Sequence, residues 1–215
     1  MDKQSVEFNL HTLTLGMGCF WSPDALFGSL PGVIRTRVGY AGGTAPQPDY
    51  REMGDHSETV ELDFDAERIS YDRLLETFWG HHSPVNINGY KGRQYQSLLL
   101  YRDANQEQAI RRIKSRIESD KGMLLETEVA PFRAFHLAEP RHQKYYLKRY
   151  PDAIAKLGAL YPTEEELTNA TLAARLNGLA KGFTSLERIL DEIRDWPIGA
   201  EELSEWTALI RQIRW

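Results

Sequence analysis

One residue in 215 carries a thiol. Cys19 stands in the stretch "LGMGCFWSPDALFGSLPG" (15–32), after Gly18 and before the pair Phe20–Trp21. The thiolate is the reactive form of cysteine, and a junction where a strand gives way to a helix supplies unpaired backbone N–H groups that stabilise it. Gly16 and Gly18 permit the close approach and unusual dihedrals that an exposed nucleophile needs. Phe20 and Trp21 offer an apolar wall beside the sulfur, suited to a small apolar group of a substrate. Against this stands the ordinary fate of a free cysteine, which is to be buried and inert. The six histidines (11, 56, 81, 82, 136, 142) show no protease signature, and one cysteine beside His81–His82 gives no metal-ligand spacing. No metal site is expected, and His81 and His82 are expected at a helix end or the surface. A single cysteine also cannot close an internal disulfide, so an oxidised Cys19 must be restored by a thiol from outside the chain.

The elements that must position Cys19 follow from hydrophobic periodicity and punctuation. "HTLTLGMG" (11–18) alternates as a strand. "FWSPDALFGSLPG" then has helical spacing, with Pro23 in the first turn and Ser22 as the expected cap. "VIRTRVGYAGG" (33–43) and "HSETVELDFD" (56–65) are strands flanking a glycine- and proline-rich loop, with Val60, Leu62 and Phe64 on one face of the second. Ser70 is expected to cap a helix over 70–82, and the polar segment 83–95 is too long for an ordinary connection. A strand (96–102), a helix begun by Asp103 (103–120) and two short strands around Pro131 follow. "PRHQKYYLKRYP" is expected as a short helix begun by Pro140 and stopped by Pro151. Beyond Pro162 only helical periodicity remains, in 163–182, 185–196 and 199–215. In "TLAARLNGLAKGF", Leu172, Leu176 and Leu179 share one side. The order predicts an α+β fold: a two-layer α/β sandwich with a mixed sheet on a ferredoxin-like core. The expected domain spans 1–160, with a helical extension over 161–215 packed on it.

Composition narrows the classes of function. Hydrophobic residues make up 41% and charged residues 27%, ordinary for a globular chain, and the net charge of −5 without a basic block argues against nucleic acid as a partner. No apolar run is long enough to span a membrane, and "MDKQSVEFNL" lacks the apolar core of a signal peptide. The cytoplasm is the expected compartment.

Read in order, "GMGCFW", "LPGV", "VGYAGGTAPQPDY", "HSETVELDFD", "SYDRLLETFWGHHSP", "GRQYQS" and "AEPRHQKYYL" form a series over residues 11 to 150. This series resembles the type A peptide methionine sulfoxide reductases, and it is far more specific than any one of its motifs. The resemblance implies reduction of the S epimer of methionine sulfoxide, free or in proteins, to methionine. It implies Cys19 as the nucleophile, Phe20 and Trp21 as the pocket for the substrate's ε-methyl group, and Glu58 of "HSE" as the acid. Tyr50 and Tyr95 are implied as the hydroxyls that hydrogen-bond the sulfoxide oxygen. The residue types suit the reaction. A sulfoxide sulfur is a poor electrophile until its oxygen is protonated or strongly hydrogen-bonded, and a carboxyl kept neutral by an apolar site can donate that proton. Attack by the thiolate then leaves Cys19 as a sulfenic acid. On residue type alone, Glu58 could equally be a solvent-facing strand residue like Glu61, and Tyr50 and Tyr95 could simply pack loops.

Four departures from the family pattern bear on this. Ser22 replaces a glycine after the tryptophan. "YREMGDHSE" is short before Glu58, with Asp55 between Gly54 and His56. Tyr90, a substrate-binding position, stands where an aspartate is common, and Ser83 similarly replaces an acid. Resolving cysteines are absent, so the expected reductant is thioredoxin or glutathione with glutaredoxin, and no bound cofactor is expected. The partners expected are methionine sulfoxide and a reducing thiol, for a monomeric protein. Two other readings accompany this one: a catalytically impaired relative that binds methionine or its sulfoxide, and a sensor whose output is oxidised Cys19.

Overall fold

The computed structural model describes residues 9–84 and 92–215. Strand β1 (Leu10–Met17) leads through the cysteine segment into α1 (Trp21–Gly28), and β2 (Val33–Ala41) and β3 (Ser57–Asp65) form an antiparallel pair. Helix α2 (Tyr71–Gly80), strand β4 (Ser97–Tyr101), helix α3 (Ala104–Lys121) and strands β5 (Glu128–Pro131) and β6 (Phe135–Leu137) complete the mixed α/β unit. The six-stranded sheet has the order β5-β4-β1-β3-β2-β6, antiparallel at every pairing except β4–β5, which is parallel. After β6 come two short 3-10 turns, Pro140–His142 and Leu147–Arg149. Then follow α4 (Pro151–Leu157), α5 (Glu164–Asn169), α6 (Thr171–Lys181), α7 (Leu186–Glu192) and α8 (Ala200–Arg211).

Local chemistry accounts for most of these boundaries. Ser70 and Asp103 cap α2 and α3 as expected, each side chain accepting a backbone N–H, from Arg73 and Gln106 respectively. Three expectations are corrected. Ser22 does not cap α1: the helix is entered at Phe20 without any side-chain cap. Pro151 starts α4 instead of stopping a helix, because its missing N–H is tolerated at the first helical position. The stretch 163–182 divides at Ala170 into α5, begun by a Thr163–Glu166 capping box, and α6.

One face of the sheet carries Leu13, Leu15, Val60, Leu62 and Phe64, packed under Phe27, Leu74, Phe78, Ile110 and Ile113 of α1, α2 and α3. The opposite face is charged. Glu61 is buried there instead of facing solvent, bonded to Arg37 at 2.7 Å and Arg102 at 2.6 Å, with Asp63 bonded to Arg35 and Thr12. A second apolar cluster joins Leu147 and Leu157 to Leu172, Leu176, Ile189, Ile193 and Ile210. Helix α6 links the two clusters through Arg175, which is 1% exposed. Its guanidinium donates to the carbonyls of Gly28 (2.7 Å) and Val33 (2.8 Å) and to both carboxylate oxygens of Glu192 (2.7 and 2.8 Å).

Substituting Arg175→Met keeps much of the volume but strips two buried carbonyls of their donor and leaves Glu192 without its cation. The expected loss of unfolding free energy is about 3 to 5 kcal/mol, read from urea denaturation. A loss of only about 0.5 kcal/mol, the range of ordinary surface substitutions, would show that this contact does not hold α6 to the sheet.

Candidate active site

Strands β1 and β3 bring a thiol and a carboxyl to the same end of the sheet. Cys19 follows β1 by two residues. Between them Gly18 has φ +86°, a left-handed conformation that strains any residue with a Cβ, and it turns the chain from strand into α1. A Cβ on Gly16 would lie 2.9 Å from the Gln96 carbonyl oxygen and 3.1 Å from that of Glu58, so the neighbouring strands close here only around glycine. Glu58 shares the helix-covered face with Val60 and Leu62 by strand alternation, and in the ladder it lies opposite Tyr40. That parity separates it from Glu61, which points to the other face.

The Glu58 carboxyl is 1% exposed and fully engaged. Its Oε2 accepts the Phe20 backbone N–H at 3.0 Å and its Oε1 accepts the Gln94 side-chain amide at 2.8 Å. Cys19 lies close enough to the same carboxyl for each group to shift the other's pKa. Burial pushes Glu58 above the ordinary carboxylate range, against the hydrogen bonds from Gln94, Phe20 and Cys19. Burial also pushes the Cys19 thiol up, although its residue lies at the surface. The Trp21 backbone N–H at the start of α1 pulls it down, and the neighbouring Glu58 charge raises it further. The helix start therefore supplies the expected donor, but burial outweighs it, and both groups are pushed toward their protonated forms.

Around this pair stands an aromatic wall. Phe20 is buried, with its ring centroid 6.1 Å from Tyr40 and 5.4 Å from His142. The Trp21 ring stacks on Tyr145 at 3.8 Å, and its Nε1 donates to His142 Nδ1 at 3.3 Å. Tyr50 packs on the other side of His142, at 4.6 Å. Its hydroxyl is pushed up by burial and then by the charges of Glu58 and Cys19, which places it within electrostatic reach of the pair. Trp21, Tyr50, Arg51, Arg141, His142 and Tyr145 line a groove of about 480 Å³. A larger hollow of about 860 Å³ lies between the charged face of the sheet and α5, lined by residues such as Glu61, Phe135 and Asn169 and by none of the groups around Cys19.

The short loop before Glu58 still delivers Tyr50, because two side chains pin it. Asp55 accepts the backbone N–H groups of Thr44 and Ala45 at 2.8 to 3.0 Å, which hold its carboxyl well below the usual range. His56 accepts the Gly43 N–H at 3.1 Å and bonds the Ala45 carbonyl at 2.8 Å. Tyr95 is half-buried in the turn after the undescribed segment, next to Gln94, whose own carbonyl accepts the Glu58 N–H at 2.8 Å. Tyr90 lies outside the described residues.

His142, Tyr145, Gln94 and Glu139 are the site residues that reading the sequence missed. Glu139 accepts from the Tyr40 hydroxyl (2.8 Å) and the Tyr50 backbone N–H (3.3 Å), tying strap to loop. Burial pushes the His142 pKa down, and its Nδ1 faces Trp21 Nε1 while its Nε2 faces Arg141 Nε, of which a neutral ring can accept from one. "AEPRHQKYYL" was visible as a motif, yet nothing in its spacing shows which of its rings turns inward. His81 and His82 end α2 as expected, bonding the carbonyls of Thr77 and Phe78. Among the described residues, no group of three or more His, Cys, Asp or Glu side chains is placed to hold a metal ion.

The sequence model of the family described as peptide methionine sulfoxide reductase matches residues 11–172. The chain belongs to this family. A peptide methionine sulfoxide reductase A5 of Oryza sativa subsp. japonica is 40% identical over 199 residues, 87% of this chain and 78% of the relative. A peptide methionine sulfoxide reductase of Drosophila melanogaster is 39% identical over 182 residues, 84% and 72% of the two chains. Among solved structures, methionine sulfoxide reductase A of Corynebacterium diphtheriae superposes with a TM-score of 0.57 at 27% identity, covering 71% of this chain and 79% of that one. Membership of the peptide methionine sulfoxide reductases makes the protein an oxidoreductase that reduces methionine sulfoxide, and Cys19 and Glu58 lie inside the matched region.

Glu58→Gln removes both the charge and the acceptor that raise the Cys19 pKa, while leaving the Trp21 N–H in place. Cys19 should then ionise at lower pH, and iodoacetamide alkylation at pH 8 should accelerate by about three- to tenfold, up to one pKa unit. Unchanged or slower alkylation would show that the carboxyl does not hold the thiol proton.

Proposed function

We propose that this protein reduces methionine-S-sulfoxide, free or in proteins, with Cys19 as nucleophile and Glu58 as the acid that carries its proton. The observation that supports this most directly is the neighbourhood of the two groups: a buried carboxyl, oriented by Phe20 and Gln94, lies within electrostatic reach of the chain's one thiol. Substrate binding brings the sulfoxide oxygen to this pair. The thiol proton passes through Glu58 to that oxygen as the cysteine sulfur attacks the substrate sulfur. The S–O bond to the substrate breaks, methionine leaves, and oxygen and proton remain on Cys19 as a sulfenic acid. Tyr50 and Tyr95 would donate to the oxygen where charge develops, and Phe20 and Trp21 would receive the ε-methyl group. Tyr90 would bind substrate without supplying a carboxylate. A module that only binds methionine has no use for a thiol beside a buried acid.

The lone cysteine carries the second half of the reaction outward. One external thiol condenses with the sulfenic acid, releasing water and forming a mixed disulfide, and a second thiol releases Cys19. Thioredoxin, or glutathione with glutaredoxin, is the class of reductant this requires, and a thiol-rich cytoplasm is the compartment that suits it. No bound cofactor enters these steps, and a monomer suffices because the site residues come from one chain. The reductase unit is read over 1–160 with the helical extension over 161–215. Its core is read as ferredoxin-like, supported by the antiparallel β4-β1-β3-β2 order, with α1 joining β1 to β2 and α2 joining β3 to β4.

Without a reductant, one chain should release one methionine from methionine-S-sulfoxide and none from the R epimer, leaving a sulfenic acid on Cys19 that dimedone traps. Cys19→Ser should release none, and Glu58→Gln should slow the single turnover by about 10²- to 10⁴-fold. Two methionines per chain, release from the R epimer alone, or an undiminished rate in Glu58→Gln would each overturn the reading.

A further inference from the structure

The C-terminal extension contains no group that reaches Cys19, yet it enters the same scaffold. Helix α1 carries Asp24 in its first turn, fully buried. Around its carboxylate converge three other parts of the chain. Lys144 Nζ lies 2.9 Å from Oδ1, and the Thr36 hydroxyl of β2 donates to the same oxygen at 2.5 Å. Lys144, itself completely buried and with φ 51°, also donates to the Thr36 carbonyl at 2.5 Å. The other oxygen, Oδ2, accepts the side-chain amide of Asn177 in α6 at 3.0 Å. Asn177 has no exposed surface, and its own Oδ1 accepts the backbone N–H of Leu147 at 3.0 Å. The partners dictate the amide's orientation, since the carboxylate is an acceptor here and the peptide N–H a donor.

Asn177 therefore bridges two separate parts of the site. One is α1, whose first turn carries the Trp21 N–H that contacts Cys19. The other is the strap of residues 139–149, which carries His142 and Tyr145 against the Trp21 ring. The approach of α6 to α1 is close enough to make this bridge rigid: a Cβ on Gly178 would lie 2.5 Å from Ser29 Cβ and 2.9 Å from the Ala25 carbonyl oxygen, and one on Gly28 would lie 2.9 Å from the Ala174 carbonyl oxygen. Helices meeting at glycine on both sides leave no side chain to give way.

We propose that Asn177 is a positioning residue of the reductase site, fixing the separation between the cysteine-bearing helix and the aromatic strap through Asp24 and Leu147. The inference rests on the functional reading above. It gives the helical extension a part in catalysis without contact to substrate: a displacement of either arm moves the thiol relative to the wall that orients the sulfoxide, and misplacement by about 1 Å can slow a reaction about a hundredfold.

The test compares the single-turnover release of methionine from methionine-S-sulfoxide in wild type, Asn177→Ala, Asn177→Asp and the transposed pair Asp24→Asn with Asn177→Asp. In the transposed pair every hydrogen bond has a counterpart: the new amide at 24 accepts from Lys144 and Thr36 and donates to the carboxylate at 177, which still accepts from Leu147. Each variant is assayed where circular dichroism shows it folded. The single variants should lose about ten- to a hundredfold in the rate of the chemical step, with a smaller change in KM, and the transposed pair should recover most of that rate. Folded single variants with wild-type rates would overturn the proposal, as would a folded transposed pair that stays slow. Variants that fold at no temperature would assign the contacts to stability alone and overturn it too. Absence of sulfoxide reduction in the wild type would instead fail the functional reading, which separates the two.

Discussion

A carboxyl group taken out of water must either find hydrogen-bond donors or keep its proton, and the architecture around Glu58 is organised by that demand. The group sits where the sheet is covered by helices, so solvent cannot serve it. The Phe20 N–H at the entry to α1 satisfies one oxygen and Gln94 the other, with Cys19 alongside. The two donors come from different elements: the turn after β1 and the segment before β4. Any shift of these elements would strand a buried acid, which ties the geometry of the site to the stability of the fold. The same burial pushes the thiol pKa up.

The second organising feature is a strap of chain more than a hundred residues beyond Cys19. Glu139, His142 and Tyr145 reach back to Tyr40, Trp21 and Tyr50, and the rings interlock: Tyr145 stacked on Trp21, His142 bonded to Trp21 and packed on Tyr50. Burial disfavours the charged form of His142 in this environment, lowering its pKa. The wall is thus rigid aromatic surface with few free polar groups, suited to an alkyl sulfoxide whose only strongly polar atom points at Glu58.

The sheet separates two kinds of burial. Its helix-covered face is apolar, and the other is a lattice of arginines and carboxylates in which Glu61 and Asp63 are paired with Arg35, Arg37 and Arg102. Strand alternation alone assigns Glu58 to the first face and Glu61 to the second, so residues three apart on one strand meet opposite chemistry. The extension adds a third layer. Arg175 ends α1 by bonding the Gly28 carbonyl, and Asn177 joins Asp24, so the helix that presents Cys19 is held at both ends by α6.

Much of this was legible in the residues themselves. The strand-to-helix junction at Cys19, the glycines that allow it, the parity of β3 and the caps at Ser70 and Asp103 all follow from local sterics and hydrogen bonding, which act over a few residues. The need for an outside thiol follows from counting one cysteine. What the sequence could not disclose depends on contacts distant along the chain. Ser22 looked like a cap, but the Phe20 N–H at that helix start was claimed by a carboxyl 38 residues away. The thiol looked activated by its helix, but burial by remote elements reversed the balance. His142 carried no signal of its own until the strap folded over Trp21. Nothing in the spacing of the extension marked Arg175 and Asn177 as the residues that meet α1. Short-range patterns set which elements form; desolvation and long-range hydrogen bonds, which exist only once those elements pack, decided the charge, the walls and the anchoring of the site.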